Sequence, residues 1–283
     1  MNQKRVLVAG ASGQLGRALS AVLPEAHFVT QDQFDISKDD QYSKINWTEF
    51  DIIINAAAYT AVEQAETDQG RIDAWQANAA AVGKLAGTAN RHHLLLVHIS
   101  SDYVFDGTVK EHLETEPLSP LGIYGQSKAA GDIAAGLANK HYIVRTSWVI
   151  GDGKNFVRAM RELSNKGVSP KVVSDQIGRP TFTKDLAEAI VFLIKNRAPF
   201  GIYNFSNGGK PVSWADLAKA VYRLCGRSET DIIPVTSAEY FQDKPKSAPR
   251  PRYSTLSLAK FEELGFKPRP WQNALEEYLE KDK

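Results

Sequence analysis

The chain has 283 residues, 43% of them hydrophobic, enough for one large domain or two closely joined ones. Its 34 Lys and Arg nearly balance 33 Asp and Glu, which speaks against nucleic acid or a membrane surface as the main partner. The one cysteine, Cys225, excludes an intrachain disulfide and a multi-cysteine metal cluster, and it fits a reducing compartment.

The opening MNQKRVLVAGASG runs from Lys4 and Arg5 into an apolar stretch too short for a signal peptide or a membrane span. No other apolar run approaches about 20 residues, so a cytoplasmic protein is expected. RVLVAG reads as a strand, QLGRALSAVL as a helix, HFVT as a second strand and DIIINAAA as a buried one. There follow the alanine-rich helix IDAWQANAAAVGKLAGTANRH, the strand LLLVHISS, a helix beginning near Tyr124 and the strand HYIVRTSWV. Continuous apolar strands alternating with helices predict a parallel sheet covered on both faces, a Rossmann-like, doubly wound α/β architecture.

After about Gly151 the rhythm changes. Helix NFVRAMRELSNKG, strand KVVSD, loop QIGRPTFT, helix KDLAEAIVFLIKN, strand GIYNFS and helix SWADLAKAVYRLCG follow in turn. The proline-rich KPKSAPRPR and an amphipathic helix, WQNALEEYLEKDK, complete the chain. These pieces cannot all extend one parallel sheet in simple order. A smaller, interleaved C-terminal domain is expected, closing over the carboxyl ends of the strands where open α/β sheets take ligands.

Between the first strand and first helix lies GASGQLG, contributing Gly10, Gly13, Gln14, Leu15 and Gly16. Glycines there allow a tight turn and close backbone approach, and the exposed amides with the helix dipole form a seat for a pyrophosphate. The spacing is GxxGxxG rather than GxGxxG. At the end of the second strand, VTQDQFDIS offers Asp32 for a ribose hydroxyl, with no Arg or Lys before Lys38, which leans toward NADH over NADPH. Asp35 and Ile36 can hold the adenine, although either aspartate also suits a turn.

Three further segments end strands of the same sheet. NAAAYT places Ala57, Ala58 and Tyr59, a mostly small-residue surface against which a flat cofactor can lie. ISSDYVFDG presents Ser100, Ser101, Asp102 and Tyr103, and RTSWVIG presents Trp148. In YGQSK, Tyr124 and Lys128 are four apart, so on a helix the phenol and the ammonium share a face. A nearby cation lowers the cost of a phenolate and makes such a tyrosine a better proton donor or acceptor.

GASGQLG, NAAAYT, SSDYVFDG, YGQSK and RTSWV together resemble the extended short-chain dehydrogenases/reductases, and the likeness continues through NFVRAM, VVSDQIGRPT and RPRYSTLSL. The resemblance implies reduction, by NADH or NADPH, of the 4-keto group of a dTDP-linked deoxysugar destined for cell-surface polysaccharide. It makes Tyr124 the general acid, Lys128 its helper and the holder of the nicotinamide ribose, and Ser101 the donor to the substrate carbonyl, with Ser100 as its near alternative. Asp102, Tyr103 and Trp148 fall where the family meets the sugar. Asn155, Gln176, Arg179 and Arg250 are expected to bind the nucleotide diphosphate, with Arg252 beside Arg250 on a clamp-like loop.

The implied domains are about 1–150 plus 171–200 for the dinucleotide and about 151–170 plus 201–283 for the sugar nucleotide. Two positions depart from the family's pattern. Ala18 stands where some members place an acid that helps hold a bridging metal, so no metal site and a monomer or weak homodimer are expected. Ser257 stands where many have an aspartate. A 4-epimerase, a 4,6-dehydratase and a non-catalytic subunit like the regulator of methionine adenosyltransferase are the competing readings; Ser101, Tyr124 and Lys128 together weigh against the last.

Overall fold

A computed structural model of the chain describes residues 1–243 and 247–281. The apolar runs become strands because they are buried on both faces: every residue of β1 (Val6–Ala9) and β3 (Ile52–Asn55) is buried. With β2 (His27–Val29), β4 (Leu95–Ser101), β5 (His141–Thr146) and β6 (Gly201–Phe205) they form one six-stranded parallel sheet in the order β2-β1-β3-β4-β5-β6. The chain leaves β1 toward one edge and returns to the other side at β3. This reversal opens a crevice at the carboxyl ends of β1 and β3, where doubly wound sheets bind their ligands.

The helices cover the two faces. Leu15 and Leu19 of α1 (Gln14–Val22) pack with Val8 and Val144 on one side, and α6 (Thr183–Lys195) adds Leu186, Ile190 and Leu193. On the other side Leu7, Ile53 and Leu96 meet the helical layer of α3 (Ala81–Arg91), which α2 (Asp68–Trp75) precedes, and α4 (Ile123–Ala135), with Val82, Leu85 and Ala135 in the same core. Helices α2 and α3 are joined by one wider π turn, Gln76–Ala80, in the middle of the alanine-rich stretch.

A third core belongs to the C-terminal part. It gathers Val157 and Met160 of α5 (Phe156–Asn165), Leu217 and Tyr222 of α7 (Trp214–Leu224), and Trp271 and Leu275 of α8 (Trp271–Lys281). The doubly wound sheet with a smaller, interleaved partner is thus as the sequence leads one to expect.

The expected boundaries need two corrections. Gly201–Phe205, assigned above to the small domain, is the sixth strand of the large sheet, paired with β5 from Gly201↔Tyr142 to Phe205↔Thr146. Tyr203 and Phe205 drive it there, both fully buried against Phe261. Conversely Lys171–Val173, assigned to the large domain, pairs in parallel with Ile233–Val235 of the small one. The strand read through Val149 also stops early: Trp148 has a positive φ of 47°, rare for a bulky residue, and the chain resumes as Val149–Ile150 against Thr181–Phe182.

Lys244, Pro245 and Lys246 of the proline-rich stretch, and the last two residues of the final helical pattern, lie outside the described residues. Among the described residues no helix is long and apolar enough to cross a membrane.

Candidate active site

The glycine turn after β1 is shaped by what it lacks. Gly10 has φ +91°, and a Cβ there would lie 2.6 Å from the Ala57 nitrogen; one on Gly16 would strike the Gly10 carbonyl. The first helix can therefore begin hard against the strand, with Gly13 as a side-chain-free N-cap that leaves its first amides uncapped by any side chain. Two chambers flank this turn and share Ser12, Gly13, Ala56 and Ala58 in their walls. A phosphate-linked dinucleotide that straddles the turn would reach both, so the cradle fits such a group.

The smaller chamber, about 260 Å³, is lined by Gly10, Asp35, Ile36, Ala57, Ala58 and Tyr59, all expected from the sequence. Burial acts to raise the Asp35 carboxyl, but hydrogen bonds from the Ser37 hydroxyl and amide and from Gln31 hold it below its ordinary value. Asp32 is a correction: it is exposed on the turn after β2, and Gln31 takes the place in the wall that was assigned to it. The side chain on which the leaning toward NADH rested is therefore not at the chamber.

The larger chamber, about 520 Å³, brings together Ser100, Ser101, Asp102, Tyr103, Tyr124, Lys128 and Trp148, with Gln14 and Leu15 from the glycine side. Helix α4 can reach β4 because Gly125 and Gly131 lack side chains, their Cβ positions being occupied by the carbonyls of Tyr103 and Asn78. Tyr124 and Lys128 then project one turn apart into the floor. Burial pushes the Tyr124 phenol up to about 12, opposed by a hydrogen bond with Ser101 and reinforced by the Asp102 charge. Burial pushes the Lys128 ammonium down to about 8, with Asp132 working against it. Lys128 Nζ donates to the Ile99 carbonyl at 2.6 Å, and the side chain that most favours the charged form of the phenol is Ser101.

Asp102 is buried with 2% exposure, its carboxyl pushed up to about 6 by desolvation. Tyr103 sits edge-on to Tyr124 at 5.4 Å between ring centres, and burial holds its phenol above the ordinary value. Trp148 stacks on Trp214 at 3.7 Å, its ring also lying against Gly178, where a Cβ would come within 2.9 Å. The strained backbone at Trp148 is thus fixed by packing on both sides.

Beyond this tryptophan pair lies a third cavity, about 840 Å³, lined by Phe156, Lys171, Gln176, Trp214, Phe241 and Arg250 among others. Gln176 and Arg250, both expected from the sequence, are in its wall. Arg250 forms an ion pair with Glu63 and lies over the Phe241 ring, 4.9 Å from its centre. The other two expected diphosphate ligands line none of these three cavities. Asn155 is the N-cap of α5, accepting from the Arg158 amide and donating to the carbonyls of Gly151 and Gly153 and to Tyr278. Arg179 is buried, and its Nη2 donates to Glu111 and to the Leu256 carbonyl, while Nε has no partner. Both were polar residues in loops, and each found its partner within the protein. Arg252 lies over the ring of Tyr253, and Ser257 donates its amide to the His112 carbonyl.

Four contributors escaped the sequence reading. Asn78, in the π turn, accepts from the Tyr59 amide at 2.9 Å and donates to the Tyr59 carbonyl and the Ser127 hydroxyl at 3.0 Å each, tying β3's loop to α4. A lone buried amide in WQANAAA was its signal. Asp132 pairs with Arg145 at 2.8 Å beneath Lys128, signalled by its i+4 spacing from the lysine. Glu63 and Trp214 carry no local signal, because their partners Arg250 and Trp148 are distant in sequence.

Residues 4–283 match the model of the RmlD substrate binding domain. The chain belongs to that family. Curated relatives include the spore coat polysaccharide biosynthesis protein SpsK of Bacillus subtilis, 41% identical over 98% of this chain and 97% of its own. The dTDP-4-dehydrorhamnose reductase of Aggregatibacter actinomycetemcomitans is 38% identical over 96% and 97%. Among solved structures, dTDP-4-dehydrorhamnose reductase of Bacillus anthracis in complex with NADP is 34% identical and superposes with a TM-score of 0.89 over 98% of this chain and 99% of that one. As an RmlD-family member the chain is an oxidoreductase that works with NADH or NADPH.

Proposed function

We propose that the chain reduces the 4-keto group of dTDP-4-dehydro-β-L-rhamnose to dTDP-L-rhamnose, in the supply of rhamnose for cell-surface polysaccharide. One observation carries the reading: Ser101, Tyr124 and Lys128 line the same chamber as the start of α1, and that chamber adjoins a larger cavity across the Trp148–Trp214 pair. A sugar in the first with its nucleotide in the second would place one carbonyl at the phenol.

NADH or NADPH, when bound, supplies the hydride to the carbonyl carbon. The residues that would hold it are the glycine turn, Ala57, Ala58 and Tyr59, with Asp35 and Ile36 at the adenosine end and Lys128 at the nicotinamide ribose. Tyr124 passes its proton to the carbonyl oxygen, and Ser101 hydrogen-bonds that oxygen as negative charge develops. A phenol held up near 12 keeps its proton until an alkoxide forms, which suits a donor rather than a base. Tyr103 and Trp148 shape the sugar's place, and Gln176 and Arg250 face the nucleotide side. Arg250 must share or leave Glu63 to take a phosphate oxygen, as a guanidinium fork can.

Ala18 on α1 is partly buried against the core and provides no metal ligand, which supports a monomer or weak homodimer without a bridging ion. The test is to supply dTDP-4-dehydro-β-L-rhamnose with each reduced nicotinamide and to follow its oxidation together with formation of the 4-hydroxy sugar. Absence of oxidation with both cofactors sinks the proposal.

A further inference from the structure

At the chamber floor, more groups call for a hydrogen than Ser101 can satisfy. Its Oγ donates its single hydrogen to Asp102 Oδ1 at 3.0 Å and accepts from the Tyr103 amide at 3.2 Å. While Asp102 holds that hydrogen, Ser101 has none left for the Tyr124 phenol, whose charged form a donating serine would favour. In this arrangement Ser101 has nothing to offer a ketone, whose oxygen carries only lone pairs. Beside it, Asp102 Oδ2 is buried in the wall of the same chamber with no partner at hydrogen-bonding distance, the Ser254 hydroxyl being near enough only to favour its charged form. An ionised carboxylate with one oxygen so placed is costly, and a proton relieves it.

We propose that Asp102 is a positioning residue that acts as a carboxylic acid and sets the direction of the Ser101 hydroxyl. Protonated, it donates through Oδ1 to Ser101 Oγ and turns the serine hydrogen toward the substrate's carbonyl oxygen. Ionised, it takes that hydrogen for itself. The idea rests on the reading of Ser101 and Tyr124 as the groups that meet the ketone. No proton is consumed at Asp102: as hydride adds to the carbonyl carbon, the Tyr124 proton moves to the oxygen, and the Asp102 proton stays shared with Ser101.

The surroundings of the carboxyl are few. Ser101 and Tyr103 reach it from its own strand and turn, Tyr124 from α4, Ser254 from the C-terminal segment and His112 from the loop after β4. Burial is the largest influence and raises the group, while Ser254, Ser101, the local backbone and His112 favour the charged form. Bound cofactor and sugar exclude more water and push in the direction of burial. The limb seen in kcat should therefore lie at higher pH than the limb in kcat/KM.

The first measurement is the pH profile. In the wild type, kcat/KM falls about tenfold per pH unit once Asp102 ionises. In Asp102→Asn the amide donates to Ser101 at every pH, so this fall disappears; in Asp102→Leu, which donates nothing, activity is low throughout. A fall that persists in Asp102→Asn with the same midpoint overturns the proposal, as does an Asp102→Asn enzyme that binds NADPH normally but is inactive at all pH values.

The second measurement needs no turnover. In the NADPH-bound protein, an infrared carboxylic-acid band present in wild type and absent from Asp102→Asn should fade as pH rises through the Asp102 midpoint, and Ser101→Ala should move that midpoint upward. Absence of the band at about pH 5 overturns the proposal. If the band titrates while the sugar is never reduced, the reductase reading is what fails, and an unmoved midpoint in Ser101→Ala then overturns this one too.

Discussion

The two halves of the site are made of different material. The dinucleotide side is built from backbone and from missing side chains: the positive φ of Gly10, the close passage of Gly16 and the bare amides that open α1. The substrate side is built from side chains meeting across long sequence distances, Trp148 on Trp214, Gln176 on Ser237 and Arg250 on Glu63. A backbone device leaves a local mark in the sequence, whereas a pair of distant side chains leaves none. Substitutions should respect this division.

The largest effect is expected where the halves meet. Tyr124→Phe removes the proton donor but no backbone contact, so kcat should fall by about 10²–10⁴ with cofactor affinity little changed. Steady-state kinetics and fluorescence titration with NADPH separate the two; unchanged turnover would move the acid elsewhere. Gly10→Ala tests the backbone half. A left-handed alanine that also meets the Ala57 nitrogen should cost roughly 2–4 kcal/mol of stability and weaken cofactor binding, readable by denaturant unfolding and the same titration.

Next comes a pH effect on folding. The Asp102 carboxyl titrates near 6 in the fold and close to 4 when unfolded, so between those values the native state keeps a proton that the unfolded chain has lost. Native stability should thus fall by about 2–3 kcal/mol as pH rises through the window, and Asp102→Asn should abolish the fall. Urea unfolding at about pH 4 and about pH 7 decides it; equal slopes with pH in both proteins would place the burden on another group.

Trp214→Ala should leave the cofactor side intact and raise KM for the sugar nucleotide by about 10-fold, through loss of roughly 1–1.5 kcal/mol of ring stacking. A matching loss in NADPH affinity would show that the halves are less separate than the geometry suggests. The smallest change is Glu63→Gln, which loosens a partly exposed ion pair worth about 1 kcal/mol or less. A modest fall in KM is expected if Arg250 is thereby freed for phosphate, and a rise would mean that Glu63 mainly holds the loop in place.

The sequence made the sheet, the helix layers and the cradle legible because each depends on short-range pattern. DIII and LLLV had nowhere to go but a doubly covered sheet, and a glycine triplet between strand and helix has few other uses. Asp32 was misplaced because it lies in the turn after β2, where the direction of a side chain follows the local backbone and not the strand pattern. GIYNFS and KVVSD exchanged domains for a related cause: short strands take their place from distant rings and partners, here Phe261 and Ile233–Val235. Asn155 and Arg179 were sensible phosphate ligands by residue type alone, yet the Asn155 amide caps a helix and Arg179 Nη2 is held by Glu111 and the Leu256 carbonyl.

The π turn at Gln76–Ala80 matters as a matter of phase. One additional residue in a helix shifts everything beyond it by about 100° around the axis. Here the shift lets Asn78 look toward Tyr59 and Ser127 while Val82, Leu85 and Ala89 further along still face the sheet. The run Ala79–Ala81 looks interchangeable by composition, but its length is a gear setting. Removing one alanine would leave the amino-acid content almost unaltered and still present the sheet and the active-site loop with incompatible faces of one helix.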